Sequence, residues 1–306
     1  MRVVIALGGN ALLRRGQPPE LRLQRENAVL AAATLAEIAQ VHEVVVTHGN
    51  GPQVGLLALQ AECDPAVTPY PLDVLDAETE GQIGYLLEQE LRNRLPRREV
   101  ATLLTMVEVD PADPAFQNPS KPIGPGYPAA EAERLSRERG WNLLPDGDRV
   151  RRAVPSPEPR RLLELTSIRL LLEAGVLVIC AGGGGIPVAR AAEGTLRGME
   201  AVIDKDLASA LLATELRVDA LLLLTDVDAV RADWRLPTER ALQETTPEEL
   251  RRLEFAAGSM GPKVEAVCRF VEQTGGLAGI GRLEDGLRIL ERRAGTTVTD
   301  HQARSS

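Results

Sequence analysis

The run Val176-Leu177-Val178-Ile179-Cys180-Ala181-Gly182-Gly183-Gly184-Gly185 stays apolar for the length of a strand and then turns to four glycines. A strand with one wet face alternates apolar and polar residues. One that is apolar throughout is buried on both faces, as in a parallel sheet packed between helices. Glycine directly after such a strand lets backbone N–H groups approach phosphate closely, in the crevice where open parallel sheets bind their ligands. The pairing recurs. Val3-Val4-Ile5-Ala6-Leu7 runs into Gly8-Gly9-Asn10 and a second strand runs into His48-Gly49-Asn50-Gly51, while a fourth strand, Ala220-Leu221-Leu222-Leu223-Leu224, closes on the polar loop Thr225-Asp226-Val227-Asp228. Any one of these loops reads equally well as an ordinary tight turn, but a shared position at one end of a sheet makes the set a ligand crevice.

Apolar periodicity predicts strands near residues 2 to 7, 43 to 47, 100 to 107, 176 to 180 and 219 to 224, with helices near 22 to 40, 77 to 94, 159 to 174, 205 to 216 and 263 to 274. This alternation defines an α/β fold with a mainly parallel sheet covered on both faces. The rhythm breaks between Asp110 and Pro159. There Pro111, Pro114, Pro119, Pro122, Pro125 and Pro128 precede a short charged helical piece and the turn Pro145-Asp146-Gly147-Asp148. A stretch this long and irregular inside a compact domain predicts a protruding flap, at residues 112–153.

The chain has 306 residues, 44% hydrophobic and 26% charged, and no apolar run approaches the roughly 18 residues of a membrane span. Met1-Arg2 leads straight into a strand-like segment rather than a charged leader and apolar core, so a cytoplasmic protein without membrane association is expected. Cys63, Cys180 and Cys268 are odd in number and lack metal-site spacing; they read as buried small hydrophobes. With 35 basic against 44 acidic residues the net charge is -9, and the basic residues are scattered, which argues against a nucleic-acid partner.

Among the 35 basic residues only Lys121, Lys205 and Lys263 are lysine. A chain that uses arginine for its surface cations has a reason to keep a lysine where it does: a compact, mobile point charge follows a small group in transit, and a planar guanidinium fork does not. Lys205, in Glu200-Ala201-Val202-Ile203-Asp204-Lys205-Asp206, falls in the first turn of a predicted helix, where a cation opposes the helix dipole unless an anion shares that end. Lys263 repeats the pattern in Gly258-Ser259-Met260-Gly261-Pro262-Lys263, with Ser259 as N-cap and Pro262 in the first turn. Lys121 lies between prolines in the flap. For each, the ordinary alternative is a solvated surface lysine. Asp206 is suited to orient Lys205 and Lys263 rather than to act as a base, and His48 reads as a hydrogen bonder at a strand end. The loop after Thr225-Asp226-Val227 carries Trp234 and Pro237, suited to an adenine face and ribose hydroxyls.

Gly49-x-Gly51-x-x-x-Gly55 is similar to a dinucleotide fingerprint, which raises a dehydrogenase as a rival from another class. That motif explains neither the other glycine loops nor the lysines, and no GxxxxGK[ST] P-loop occurs.

Taken together, Ala6 to Leu12, Thr47 to Gly55, Pro119-Ser120-Lys121-Pro122-Ile123-Gly124-Pro125, Val154-Pro155-Ser156-Pro157, Gly182 to Val188, Glu200 to Asp206 and Gly258 to Lys263 resemble the carbamate kinases of the amino-acid-kinase superfamily, in order along nearly the whole chain. The resemblance implies a three-layer α/β/α sandwich with an open, mainly parallel sheet of about eight strands. It implies an acceptor-binding lobe over about residues 1–205 and a nucleotide-binding lobe over about 206–306. The implied activity is reversible phosphoryl transfer between ATP and carbamate to give ADP and carbamoyl phosphate, ATP-forming in catabolism, with Mg²⁺ carried on the nucleotide and a homodimeric assembly. By position, Lys205, Lys263 and Lys121 would contact the transferring phosphoryl group and Asp206 would orient the first two. Gly8, Gly9, Asn10, Gly49, Asn50, Gly51, Gly183 and Gly184 would hold acceptor and phosphoryl oxygens. Thr225, Asp226, Val227, Trp234, Pro237, Met260 and Lys263 would hold the nucleotide. A carbamate oxygen is already ionised at neutral pH, so a lysine- and glycine-rich site without a general base suits the reaction. Two segments depart from the family pattern: Asp233-Trp234-Arg235, and Ala278-Gly279-Ile280-Gly281-Arg282. Two further readings keep the fold, a kinase for another small carboxylate or phosphate and a non-catalytic nucleotide-binding regulator.

Overall fold

A computed structural model describes residues 1–13, 17–63, 66, 68–147, 149–234, 236–255 and 260–300, with the backbone alone at Asn10 and Ala11. An eight-stranded sheet runs in the order Glu244–Thr245, Thr296–Val298, Leu277–Arg282, Ala220–Thr225, Arg2–Leu7, Glu43–His48, Leu177–Ile179 and Val100–Thr102. Only the pairing of Leu277–Arg282 with Thr296–Val298 is antiparallel. Alternation along the strands builds the three layers. Val3, Ile5, Leu7, Val44 and Val46 point to one face and pack with Ala28, Leu35, Ile83 and Leu87 of the helices Leu21–Val41 and Leu72–Arg94. Val4, Ala6 and Val45 point to the other face and pack with Ile168, Leu212 and Phe270 of Leu165–Glu173, Lys205–Leu216 and Met260–Thr274.

The predicted strand over 100 to 107 is two strands in two sheets, Val100–Thr102 in the main sheet and Met106–Glu108 in a four-stranded one. The break has a physical cause. Thr102 N–H donates to Glu88 and Thr105 N–H to Glu80, so helix carboxylates take the backbone donors a continuous ladder would use. The helix predicted from 159 begins only at Leu165, because Arg161–Leu162 pair as a short strand with Val107 and Glu108. Periodicity missed the helix Gly51–Ala61, whose glycines and Pro52 read as loop. Of the cysteines expected to be buried, Cys180 and Cys268 are, whereas Cys63, just past the end of that helix, is exposed.

The proline-rich region is more regular than its composition suggests. Lys121–Tyr127, Asn142–Asp146 and Arg149–Val154 form a three-stranded antiparallel sheet beside the helix Ala129–Arg139. Its ties to the body are close: Gly55 of Gly51–Ala61 lies against Gly124 so tightly that a Cβ there would fall on the Gly124 backbone, and Gly124 has φ +68. That contact accounts for the third glycine of the dinucleotide-like spacing. The atypical Gly279 and Gly281 are explained in the same way, since Ile289 of the short helix Gly286–Leu290 sits where their side chains would be.

Candidate active site

Register brings the glycine loops level. Leu7 is opposite both His48 and Leu224, and Ile179 is opposite Val46. The segments after four neighbouring strands therefore meet at one edge. Gly8 N–H donates to Leu224 O at 2.8 Å and Gly49 N–H to Leu7 O at 3.0 Å, continuing the ladders past the strand ends. A Cβ on Gly49 would come within 3.0 Å of Gly9 N and 3.3 Å of Lys205 Cδ. A Cβ on Gly183, itself at φ +70, would fall on the Asn50 amide, and one on Gly184 within 2.7 Å of Ile203 O. Gly51 begins the helix Gly51–Ala61 and its Cα faces Pro122 of the antiparallel sheet. The Asn10 and Ser259 assignments lie outside the described side chains and residues respectively.

The three lysines converge on two carboxylates. Asp206 binds Lys205 through Oδ1 and Lys263 through Oδ2, the latter at 3.1 Å. Lys121 Nζ reaches from the antiparallel sheet to Asp204 Oδ2 at 2.7 Å. Asp204 is also the N-cap of Lys205–Leu216, its Oδ1 accepting from the N–H groups of Asp206 (2.9 Å) and Leu207 (3.3 Å). That helix end is fixed again from the sheet, where the hydroxyls of Thr47 and Ser209 lie 2.6 Å apart.

Electrostatics follow from this packing. Burial pushes Lys205 below the usual lysine value, against the attraction of Asp206. Burial acts the same way on Lys263, but Asp206 and Asp204 outweigh it and hold it above that value. For Asp206 burial works upward, yet Lys205 and Lys263 prevail and hold it well below the carboxylate range. His48, fully enclosed, is pushed down to about 4 by burial. Its Nδ1 lies 3.3 Å from Gly49 O, as expected for a strand-end hydrogen bonder, and a neutral ring at physiological pH donates there.

Thr225 closes its strand and Asp226 follows it, with Thr225 Oγ1 3.1 Å from Asp226 Oδ1 and Val227 half-buried beyond. Asp226 also acts electrostatically on Lys263. Met260 opens the helix that carries Lys263. Trp234 and Pro237 are exposed on the loop beyond, next to Asp233 at φ 54; no contact joins them to the lysines among the described residues. Sequence reasoning missed Asp204, although an acid directly before a helix start is a capping signal. It also missed Asp76, Thr79 and Glu80, buried beneath the loops on Leu72–Arg94.

Lysines at helix ends above a parallel sheet, facing glycine loops, define a phosphotransferase of the amino acid kinase family: the family's model matches residues 1–278, and the chain belongs to it. Within that family it is similar to carbamate kinases. It is 55% identical over 302 residues to the carbamate kinase of Rhizobium meliloti, covering 98% of this chain and 93% of the relative. The carbamate kinase from Giardia lamblia bound to citric acid superposes with a TM-score of 0.92 at 39% identity, covering 97% of this chain and 98% of the other. The same Giardia enzyme bound to AMP-PNP gives 0.86 at 40% identity, with the same coverage.

Proposed function

We propose that this chain is a carbamate kinase that transfers a phosphoryl group reversibly between ATP and carbamate, giving ADP and carbamoyl phosphate. The observation that carries this reading is the meeting of Lys205 and Lys263 on one carboxylate, with Lys121 on its neighbour, beside glycine loops that leave backbone N–H groups room for an anion. Lys205 and Lys263 neutralise charge on the transferring group, and Asp206 sets their spacing. Lys121 closes over it from the 112–153 flap. The glycine loops and Asn10 hold acceptor oxygens within the first 205 residues; Thr225, Asp226, Val227, Trp234, Pro237 and Met260 hold the nucleotide in the remainder. Because the acceptor oxygen arrives ionised, positioning and charge neutralisation suffice, and no side chain has to remove a proton. Mg²⁺ enters with the nucleotide phosphates as part of the substrate.

The reading extends to a cytoplasmic homodimer. Tyr70, Val74 and Tyr85, exposed along and just before Leu72–Arg94, support a partner surface on that side. The decisive experiment supplies ADP, Mg²⁺ and carbamoyl phosphate to purified protein and measures ATP. Sustained ATP formation is expected; its absence, with other acyl phosphates accepted instead, would reassign the acceptor.

A further inference from the structure

Behind the glycine loops lies a second layer of polar groups that the reaction as described does not use. The helix Leu72–Arg94 brings Asp76 and Glu80, one turn apart, into full burial at 1% and 0% exposure. Glu80 binds two separate loops. Its Oε1 accepts from Gly182 N–H at 2.7 Å and its Oε2 from Thr105 N–H at 3.1 Å. Thr105 Oγ1 in turn accepts from Ala181 N–H at 2.9 Å, so Ala181 and Gly182 are both held. Asp76 Oδ1 accepts from Asn50 Nδ2 at 2.7 Å, and Thr79 Oγ1 accepts from the same amide at 2.9 Å. Among the described residues Asp76 Oδ2 has no hydrogen-bond partner, and neither has Nε2 of His48, which crowds the Gly182 Cα together with Glu80.

Burying carboxylates is costly unless hydrogen bonds replace the lost water, and here backbone N–H groups and an amide supply them. The carboxylates in turn hold those donors in one orientation. The two anchored pieces touch each other, since Gly183 lies against the Asn50 amide. We propose that Glu80 and Asp76 are positioning residues of the acceptor pocket, fixing the 182–185 glycine loop and the Asn50 amide as one rigid unit. The inference rests on the carbamate-kinase reading and names the groups that hold its acceptor side.

The ionised form of Glu80 makes the stronger bonds to Gly182 and Thr105. Burial raises its pKa to about 8, with Glu164 adding to the shift; Asp76, His48 and Cys180 are the other titratable groups around it. Raising the pH through that value therefore tightens the loop. Glu80→Gln keeps the size of the side chain and removes the charge and one acceptor.

The experiment measures ATP formation for wild type, Glu80→Gln and Thr105→Val. Thr105→Val loosens the same loop from its other anchor, and so reads out if the first variant does not fold. Each variant is expected to raise the KM for carbamoyl phosphate by about tenfold and to leave the KM for ADP within about twofold of wild type. The wild-type KM for carbamoyl phosphate should fall from roughly pH 6.5 to 9, and the ratio of the Glu80→Gln KM to the wild-type KM, which cancels substrate ionisation, should rise. Unchanged KM for carbamoyl phosphate in an active variant, or equal rises in both KM values, overturns the positioning role. A wild type that forms no ATP instead marks failure of the underlying reading.

Discussion

At the scale of single residues, Asp206 is the centre of the site because one carboxylate serves two ammonium groups. Its side chain is 4% exposed and that of Lys205 9%, so neither charge is solvated well enough to stand alone. Removing one member of such a group leaves an uncompensated buried charge, which costs about 3–5 kcal/mol. Exchanging lysine for arginine is the finer probe: it keeps the charge and changes only shape and mobility. Lys205→Arg should fold, since Asp206 still has a cation, yet lose about 10²–10³ in kcat, the scale of removing one preorganised donor. Lys263→Arg should lose a similar amount, and Lys121→Arg less, because its partner Asp204 lies nearer solvent at 18% exposure. Steady-state rates decide it. Wild-type kcat in all three variants would mean that the scarcity of lysine reflects composition alone.

At the scale of elements, the antiparallel sheet of residues 121 to 154 owes its position to the backbone contact of Gly55 with Gly124. Lys121 lies three residues before Gly124 on the same strand, so the glycine contact fixes how far the lysine reaches. Gly55→Ala inserts a methyl group into backbone with nowhere to go. The expected result is a loss of stability of about 1–3 kcal/mol with a lowered kcat, read by thermal melting and ATP formation. A variant that melts and turns over like wild type would show that the two backbones are not in contact.

This region also marks what the sequence can disclose. Four of the five anticipated strands and the helices that carry Lys205 and Lys263 were legible because apolar runs are local signals; the strand anticipated over 100 to 107 divides between two sheets, and the Asp204 cap of Lys205–Leu216 was missed. Lys121–Tyr127 was not legible, because two glycines and two prolines in seven residues hide a strand whose partners are distant in sequence. Asp76 and Glu80 were hidden for a different reason. The predicted helix starts near 77 and leaves Asp76 outside it, and nothing local separates Asp76 and Glu80 from the neighbouring Asp73 and Glu78; only tertiary packing reveals that two of the four are buried. The convergence of three lysines separated by 84 and 58 positions in sequence could be suspected from composition, but their common carboxylates depend on the sheet order.

At the scale of the whole molecule, among the described residues no helix is long and apolar enough to cross a membrane. Three of the exposed apolar side chains lie on or beside one long helix: Val74 and Tyr85 are eleven positions apart on Leu72–Arg94, three helical turns along one face, with Tyr70 just before it. Burial of that face in a partner is expected to give a particle of about twice the 33.0 kDa chain mass in analytical ultracentrifugation. Tyr85→Glu should then shift the distribution toward the monomer. A wild type that sediments as a monomer at micromolar concentration would remove the dimer from the proposal.

The sheet order has a further consequence during synthesis. Arg2–Leu7 lies between Glu43–His48 and Ala220–Thr225, so one of its edges is filled early and the other only after the 177 residues from Gly49 to Thr225 have been made. Until Thr225 clears the ribosome, a nascent chain carries one of its most apolar strands with a row of unpaired amides along one side. That edge is a template for any other extended chain nearby, and a reason for a chaperone to attend this protein through most of its translation.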